Sequence, residues 1–220
     1  MNKKFMYILA AAWCAVGLGA GLAQAAAPVQ PQGLITGKAF LNVAGTAVAN
    51  LTNNAKFPNS PDVLQFPPYF EWAATGDIAI APGNWADNYG TQLIGYFHPP
   101  VSGDYIFWIC ADDNAELYLS TDSSVANKKL IARESAWSNP RQYIESGGNS
   151  DLTMKDSSQY TATQWPTKDA TLGGAKITLQ AGQAYYIEAL AKEGGGGDNL
   201  SVAVQAPNFS IDSTLPIPGQ

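Results

Sequence analysis

The sequence predicts an all-β protein, built as an antiparallel β-sandwich or barrel. Short runs in which apolar and polar residues alternate recur along most of the chain, as in strands with one buried face. Glycine, proline, asparagine and aspartate separate these runs, and these residues favour turns. After the N-terminal region no segment has the period of a long helix, so we expect at most short helical turns.

Seven runs are the clearest strand candidates, because they are rich in the β-branched and aromatic residues that strands favour. They are TQLIGYFHP (91–99), GDYIFWICA (103–111), AELYLST (115–121), KKLIARE (128–134), AKITLQA (175–181), QAYYIEALAKE (183–193) and LSVAVQAP (200–207). Shorter candidates are GLITGKAFL (33–41) and DVLQF (62–66). QAYYIEALAKE also has helical propensity, but the glycines on both sides favour a strand in a hairpin across 182–206.

The first 25 residues have the features of a secretory signal peptide. Lys3 and Lys4 precede a short apolar run, and the small-residue site Ala23-Gln24-Ala25 follows it. We therefore expect cleavage after Ala25 and a protein that is secreted, extracellular or held at the cell surface. A membrane span is the competing interpretation, but the run is short and interrupted by glycine, so we expect no integral span after cleavage.

The charge and the cysteine content limit the classes of partner and the sources of stability that this protein can have. The chain has 12 Lys and Arg residues and 18 Asp and Glu residues, and both lysines of the predicted signal peptide are lost on cleavage, which leaves a net charge near −8. This excess argues against nucleic acid or an anionic membrane as partner and suits cations. Only Cys110 then remains of the two cysteines, so no intrachain disulfide can form and the core or a bound metal must stabilise the fold.

One domain accounts for the remaining length. We predict a signal peptide at 1–25, a β domain at 26–208 and an extended C-terminal linker at 209–220, where the chain ends in STLPIPGQ. Residues 134–175 are polar with interspersed aromatics and are too long for a simple connection. Long loops in compact domains are often binding surfaces or lids, so we expect that role here.

Side chains with catalytic potential have no evident partners in the sequence. His98, the only histidine, precedes two prolines and is typical of a structural turn residue. Cys110 lies within a predicted buried strand, where a small apolar role is expected. Motifs of hydrolases, metalloproteases and nucleotide-binding enzymes are absent from the sequence. We therefore predict a protein that is not an enzyme.

Two short elements carry oxygen ligands. In CADDNAELYLS, Asp112 and Asp113 are adjacent, and successive strand side chains point to opposite faces, so one ligand can use both only where the backbone bends. A plain turn between strands is the alternative. In KEGGGGDNLSV, four glycines free the backbone and Asp198 and Asn199 add side-chain oxygens. Ca2+ takes six to eight such oxygens, although a flexible hairpin tip would also explain this loop.

The order and spacing of these runs resemble the PA14 domain family. The resemblance lies in NYGTQLIGYFHPPVSGDYIFWICADDNAELYLSTD, then KKLIARE, then YYIEALAKEGGGGDNLSVAV, and it covers residues 88–206. It implies a β-sandwich or barrel module of the kind found in bacterial toxins, glycosidases, adhesins and yeast flocculins. Because members of the family do not share one activity, the fold by itself does not assign a function.

The resemblance also implies a metal site. Sugar-binding members carry two adjacent aspartates, joined by a cis peptide, whose carboxylates hold a Ca2+ ion that in turn binds sugar hydroxyls, and Asp112 and Asp113 match that pair. The glycine-rich loop matches the place of further ligands. The candidates there are the side chains of Asp198 and Asn199 and the backbone carbonyls of Gly196, Gly197 or Leu200.

Our first hypothesis is therefore a secreted, calcium-dependent carbohydrate-binding module, similar to a lectin or adhesin, whose partners are cell-surface or extracellular glycans. Trp137, Tyr160 and Trp165 are candidate platforms for sugar stacking, and the alternative is that they pin the 134–175 loop to the core. The rival hypothesis is a structural or assembly module of a bacterial surface or extracellular protein, part of a larger assembly, in which calcium only stabilises loops.

Overall fold

The computed structural model describes residues 35–73, 84–210 and 215–219. The predicted signal peptide lies outside the described residues, which contain ten strands and only short helical turns. The strands are β1 (Thr36–Phe40), β2 (Val63–Gln65), β3 (Glu71–Trp72), β4 (Tyr89–Phe97), β5 (Gly103–Asp112), β6 (Asn114–Ser120), β7 (Lys128–Glu134), β8 (Ile177–Leu179), β9 (Tyr185–Glu193) and β10 (Asn199–Gln205). The helices are α1 (Val48–Thr52) and α2 (Leu152–Lys155), with a 3-10 turn at Val125–Asn127.

The strands form two antiparallel sheets that enclose the main core. One sheet has the order β2-β1-β4-β9-β6-β7, and the other has the order β3-β10-β5-β8. Buried apolar side chains of both sheets meet between them, among them Leu93, Leu117 and Ile187 from the first and Phe107 and Val202 from the second. The prediction of an all-β sandwich is confirmed. Every predicted strand run contains an observed strand, and only the two-residue β3 was not predicted.

The outer face of the four-stranded sheet is covered by the long segment between β7 and β8. On β5, Phe107 and Ile109 face the main core, whereas Trp108 and Cys110 form a second buried cluster with Tyr143 of the covering segment. Both faces of β5 are therefore buried, which explains why its sequence is a continuous apolar run.

A buried ion pair holds this covering segment in place. Nζ of Lys155 lies 3.2 Å from Oε2 of Glu134, and it also donates hydrogen bonds to Oγ of Ser138 and to the carbonyl of Glu145. Lys155 and Glu134 are both fully buried, so their charges depend on these partners. Lys155, near the middle of the segment predicted to be a binding surface or lid, is thus tied to the end of β7.

Two of the connections that cross from one sheet to the other form corners at the same end of the sandwich. Asp113 alone connects β5 to β6, and residues 194–198 connect β9 to β10. The predicted hairpin across 182–206 is wrong, because β9 pairs with β4 and β6 whereas β10 pairs with β3 and β5. The glycine-rich loop therefore changes sheets instead of folding one strand back on its neighbour.

Of the predicted linker, residues 209–210 and 215–219 are described, and residues 215–219 lie along the domain. The N–H of Ile217 donates to the carbonyl of Val202 (2.8 Å), and its carbonyl accepts from the N–H of Phe70 (2.7 Å). The N–H of Gly219 donates to the carbonyl of Pro68 (2.7 Å). The backbone here is extended, as expected of a linker, but it is hydrogen-bonded to the β domain. Within the described ranges, no helix has the length and apolar character needed to cross a bilayer.

Candidate functional site

The two sheet-crossing corners are brought together by strand register. At the end of the β5–β10 pair, Asp112 lies opposite Asn199, and in the β6–β9 pair Asn114 lies opposite Lys192. Asp113 therefore lies beside the start of the glycine-rich loop, and its Oδ2 accepts a hydrogen bond of 3.0 Å from the N–H of Gly194.

The Asp112–Asp113 peptide bond is cis, as the family resemblance implies. Both carboxylates join a group of three with Glu193, in which one oxygen from each residue lies within 4.8 Å of the others. Two oxygens bound to one Ca2+ at about 2.3–2.6 Å can be at most about 5 Å apart, so the spacing of this group fits such an ion.

Glu193 is the site residue that the sequence analysis missed. It ends β9, it is 3% exposed, and neither Oε1 nor Oε2 has a hydrogen-bond partner among the described residues. Buried carboxylates are normally paired or bound to a metal, because an uncompensated charge in the interior is costly. Its position just before the four glycines could have indicated a site residue. In QAYYIEALAKE, however, it was interpreted only as the end of a strand.

Burial and neighbouring negative charges raise the pKa values of two of these carboxyl groups, those of Asp112 and Glu193. Burial is the largest cause for Asp112 and brings its pKa to about 7, with the charges of Asp113, Asp198 and Glu134 adding to the effect. The pKa of Glu193 rises to about 8, first through burial and then through Asp113, Asp112 and Asp198, while Lys192 opposes the shift.

Lys192 is a cation that acts on this group. It is fully buried, its Nζ donates to the backbone carbonyl of Glu193, and burial lowers its pKa against the pull of Glu193 and Asp113. One lysine does not balance three ionised carboxylates, and a divalent cation would neutralise the remaining negative charge.

Asp198, a predicted metal ligand, lies outside the three-carboxylate group and is held by the segment before β4. Its two oxygens accept hydrogen bonds from the N–H groups of Trp85 and Ala86 and from the hydroxyl of Tyr89, at 2.9–3.2 Å. The pKa of Tyr89 is raised mainly by burial and then by the charge of Asp198. Asp198 thus anchors residues 85–89 to the loop and adds negative charge near Asp112.

The other predicted ligands in the glycine-rich loop differ in their contacts and in how close they lie to the carboxylates. The side-chain amide of Asn199 donates to the carbonyl of Ser138 (2.8 Å), and its Oδ1 accepts a weak bond from Sγ of Cys110 (3.6 Å). The side chain of Leu200 is buried in the main core. Gly197 passes close to the site, since a Cβ there would lie 3.0 Å from Oδ2 of Asp112. Gly196 has φ +112°, a conformation that favours glycine.

Trp137 is the predicted platform that the fold places at this site. It forms a single antiparallel bridge with Asp112, and its side chain is 40% exposed. Its ring lies against the Gly147–Gly148 backbone, where a Cβ at Gly148 would lie 1.9 Å from a ring atom. Only glycine fits there, so the indole is supported from one side beside the acidic group.

The other two predicted platforms serve the alternative role of fixing the loop. Trp165 is 7% exposed and packs in the main core, and Tyr160 is also buried. Neither side chain presents a face to a ligand, because the β-sandwich core and the covering segment enclose them.

Comparison with known proteins agrees with this architecture. The sequence profile of the PA14 domain matches residues 44–210. A mouse (Mus musculus) N-acetyl-beta-glucosaminyl-glycoprotein 4-beta-N-acetylgalactosaminyltransferase 1 is 29% identical over 168 residues, which cover 76% of this chain and 13% of the mouse protein. The chain therefore spans only a small part of that relative.

Two solved structures are similar to this chain over most of its length. The PA14 sugar-binding domain from an RTX adhesin has a TM-score of 0.50 and 15% identity, covering 86% of this chain and 99% of the adhesin domain. The A domain of epithelial adhesin 6 from Candida glabrata, in complex with Galβ1-3GlcNAc, has a TM-score of 0.49 and 14% identity, covering 86% of this chain and 84% of that domain. Since the family profile spans most of the described β-sandwich, this chain belongs to the PA14 domain family.

Proposed function

We propose that this protein is a secreted, non-catalytic module that binds carbohydrate through a calcium ion. The observation that carries the proposal is the three-carboxylate group of Asp112, Asp113 and Glu193, in which the buried oxygens of Glu193 have no partner among the described residues. A divalent cation would compensate the charge of such a group.

The donor set favours Ca2+ over a transition metal, because its side chains offer oxygen and no histidine or thiolate. Asp112, Asp113 and Glu193 would hold the ion, with backbone carbonyls of Gly196 or Gly197 as further ligands. Asp198 and Asn199 would act mainly by holding the loop, since their side chains already bond to Tyr89 and Ser138. Bound Ca2+ would supply open coordination positions for a pair of sugar hydroxyls.

Trp137 would provide the apolar part of the sugar contact. Sugar rings have faces of C–H groups that pack on aromatic rings, and an indole already supported by Gly147 and Gly148 loses little freedom on binding. The backbone of Trp137 bridges to that of Asp112, so the two side chains start from neighbouring positions at the end of β5. A glycan could therefore contact the ion and the indole together.

Other features support binding without catalysis. Cys110 is buried, and burial raises the pKa of its thiol to about 12, so the reactive thiolate is scarce at neutral pH. His98 lies at the far end of β4 from the acidic group. The sugar-binding domain of the RTX adhesin shares the fold, which supports a carbohydrate ligand here.

A glycan array tests the proposal when it is run with Ca2+ and again with a chelator. We expect binding that chelation abolishes and that Asp113→Asn greatly weakens. Asp104→Asn is the matched control, because Asp104 is an exposed aspartate at the other end of β5, and it should bind as the unmodified chain does. Glycan binding that persists in chelator would overturn the calcium-dependent mechanism.

The rival proposal is that calcium only clamps loops in a structural or assembly module. It is supported by the hydrogen bonds of Asp198 and Asp113, which connect the 194–198 loop to the 85–89 segment and to the β5–β6 corner. Calcium-dependent stabilisation without any glycan bound on the array would favour this rival.

A further inference from the structure

Ser138 lies where the covering segment meets both sides of the acidic site. Its N–H donates to the carbonyl of Ala111 at the end of β5 (2.8 Å), and its carbonyl accepts from the side-chain amide of Asn199 at the start of β10 (2.8 Å). Ala111 precedes Asp112, and Asn199 follows the glycine-rich loop. The backbone at Ser138 therefore ties the covering segment to the strand end and to the loop end that form the site.

A buried ion pair holds the side chain of Ser138. Its Oγ donates to Oε2 of Glu134 (2.9 Å) and accepts from Nζ of Lys155 (2.7 Å). All three residues are 0% exposed, and the two charged atoms lie 3.2 Å apart. Hydrogen bonds to ionised groups are stronger than those between neutral groups, and a buried setting strengthens them further. The hydroxyl is therefore fixed by both of its charged partners.

The backbone of Trp137, the preceding residue, is fixed as well. Its carbonyl accepts from Oγ of Ser150 (2.8 Å) and from the N–H of Gly148 (3.0 Å). Trp137 lies opposite Asp112 in an antiparallel bridge, and residues paired in this way have Cβ atoms about 4.5–5.5 Å apart on one face. A shift of the backbone at 137–138 would therefore move the indole relative to Asp112.

Ser157 offers a matched comparison, because it anchors the same segment away from the site. It is 0% exposed, its Oγ accepts from the N–H of Phe107 (2.9 Å), and its N–H donates to the carbonyl of the same residue (2.9 Å). Phe107 and Asp112 are five residues apart on β5, which corresponds to roughly 17 Å of strand. Ser157 thus has similar burial and bonding at a distance from the acidic group.

We propose that Ser138 is a positioning residue for the proposed glycan site, because it sets where Trp137 lies relative to Asp112. Lys155 and Glu134 hold Ser138 in place. Ser138 itself is enclosed, so it acts through Trp137 and not by touching the glycan. This inference rests on the proposed function, since it takes Trp137 as part of the glycan contact.

The variants Ser138→Ala and Ser157→Ala of the full chain test the proposal, because each removes one buried hydroxyl from the covering segment. We expect similar losses of Tm, since each variant disrupts buried hydrogen bonds. Only Ser138→Ala should weaken glycan binding, by several-fold, in dose–response measurements on the glycan array in Ca2+. Calcium affinity, measured by calorimetric titration with Ca2+ alone, should change by less than about two-fold in both variants, because neither hydroxyl contacts the three carboxylates.

Hydrogen exchange and NMR give a measurement that needs no glycan. In Ser138→Ala, the amides at positions 138 and 148 should exchange about ten-fold faster through local opening. The indole N–H resonance of Trp137, assigned with Trp137→Phe, should shift or broaden. Ser157→Ala should leave all three signals unchanged.

A double variant, Glu134→Gln with Lys155→Met, tests the anchor of Ser138. It removes both charges together and leaves neither buried without its partner, and it should reproduce the effects of Ser138→Ala on Trp137 and on glycan binding. Where Ser138→Ala fails to fold, the double variant decides by the same measurements.

The outcomes separate this proposal from the proposed function. Equal losses of glycan and calcium affinity in Ser138→Ala, unchanged exchange at positions 138 and 148, or unchanged glycan affinity would overturn the positioning role and leave the glycan site standing. Absence of any glycan signal from the unmodified chain would overturn the proposed function and, with it, the role assigned to Ser138.

Discussion

The N–H of Gly194 donates a 3.0 Å hydrogen bond to Oδ2 of Asp113, and this contact joins the two sheet-crossing corners of the fold. Gly194 follows Glu193 and Asp113 follows Asp112, so the bond lies at the centre of the three-carboxylate group. A Cβ at position 194 would lie 2.8 Å from Cγ2 of Thr46 and 3.2 Å from Oδ2 of Asp113. Glycine at this position thus lets the loop approach the aspartates closely.

Calcium should stabilise the domain much more than magnesium does, because Mg2+ demands a smaller, near-octahedral set of ligands. Free Ca2+ at 100 times its Kd adds about 2.7 kcal/mol to the free energy of unfolding, or roughly 5–10 °C in Tm for a domain of this size. Thermal unfolding in each ion, with Asp113→Asn and Asp104→Asn as the variant and its control, measures this. Equal shifts with both ions would contradict a dedicated calcium site.

Glu193→Gln should weaken calcium binding by roughly 100-fold or more, since two unit charges about 5 Å apart interact by roughly 3 kcal/mol at an effective dielectric of about 20, and Ca2+ carries two charges. At pH 8 without metal, the same change should raise Tm, because it removes charge from a buried acidic group. Calorimetric titration and thermal unfolding give the two values. The control is Glu145→Gln, an exposed glutamate, and an effect of the same size there would exclude a specific role for Glu193.

Without metal, stability should fall as pH rises from about 4 to about 8. The pKa values of Asp112 and Glu193 in the folded protein, about 7 and about 8, lie above their ordinary values of 3.8 and 4.5. Their protonated forms therefore stabilise the folded state at low pH, and this contribution is lost as pH rises through the folded values.

Calcium should reverse this trend, because the ion competes with protons for the same oxygens. Thermal unfolding between pH 4 and pH 8.5, in chelator and in Ca2+, measures both effects. The double variant Asp112→Asn, Glu193→Gln should flatten the curve obtained in chelator. A metal-free Tm that rises steadily over this range would contradict the assigned pKa shifts.

Trp137→Ala and Trp165→Ala should have opposite consequences. Trp137→Ala removes an exposed ring beside Asp112, so glycan affinity should fall while calcium affinity and Tm change little. Trp165→Ala removes a buried core ring and should lower the free energy of unfolding by about 3–5 kcal/mol. Glycan titration and thermal unfolding of both variants separate these roles. Unchanged glycan affinity in Trp137→Ala would exclude the stacking contact.

Much of the fold could be predicted from the sequence, because strand formation follows from local patterns. The alternation of TQLIGYFHP locates β4, and the apolar run of GDYIFWICA locates β5. β3 escaped prediction because two residues are too few to form a pattern. The hairpin prediction failed because the glycines after Glu193 permit a turn back or a crossing to the other sheet, and the sequence does not distinguish the two.

The candidate site could be predicted in part. The adjacent aspartates and the glycine-rich loop were identified by their residue types and by resemblance to the PA14 family. Glu193 was not, because its significance depends on Asp112 and Asp113, about 80 residues away in the chain. Likewise, Trp137 and Trp165 lie in the same polar segment, and nothing in their neighbouring residues indicates that one is exposed and the other buried.

The sequence by itself thus determined the all-β class, nine of the strands and the presence of oxygen ligands in two separate elements, because these depend on residues close together in the chain. The tertiary structure decided which strands pair, which tryptophan faces solvent and which three carboxylates meet. Those properties depend on contacts between distant segments. The strand register sets Asp112 opposite Asn199 and Asn114 opposite Lys192. It thereby brings both corners, with their carboxylates, to one end of the sandwich.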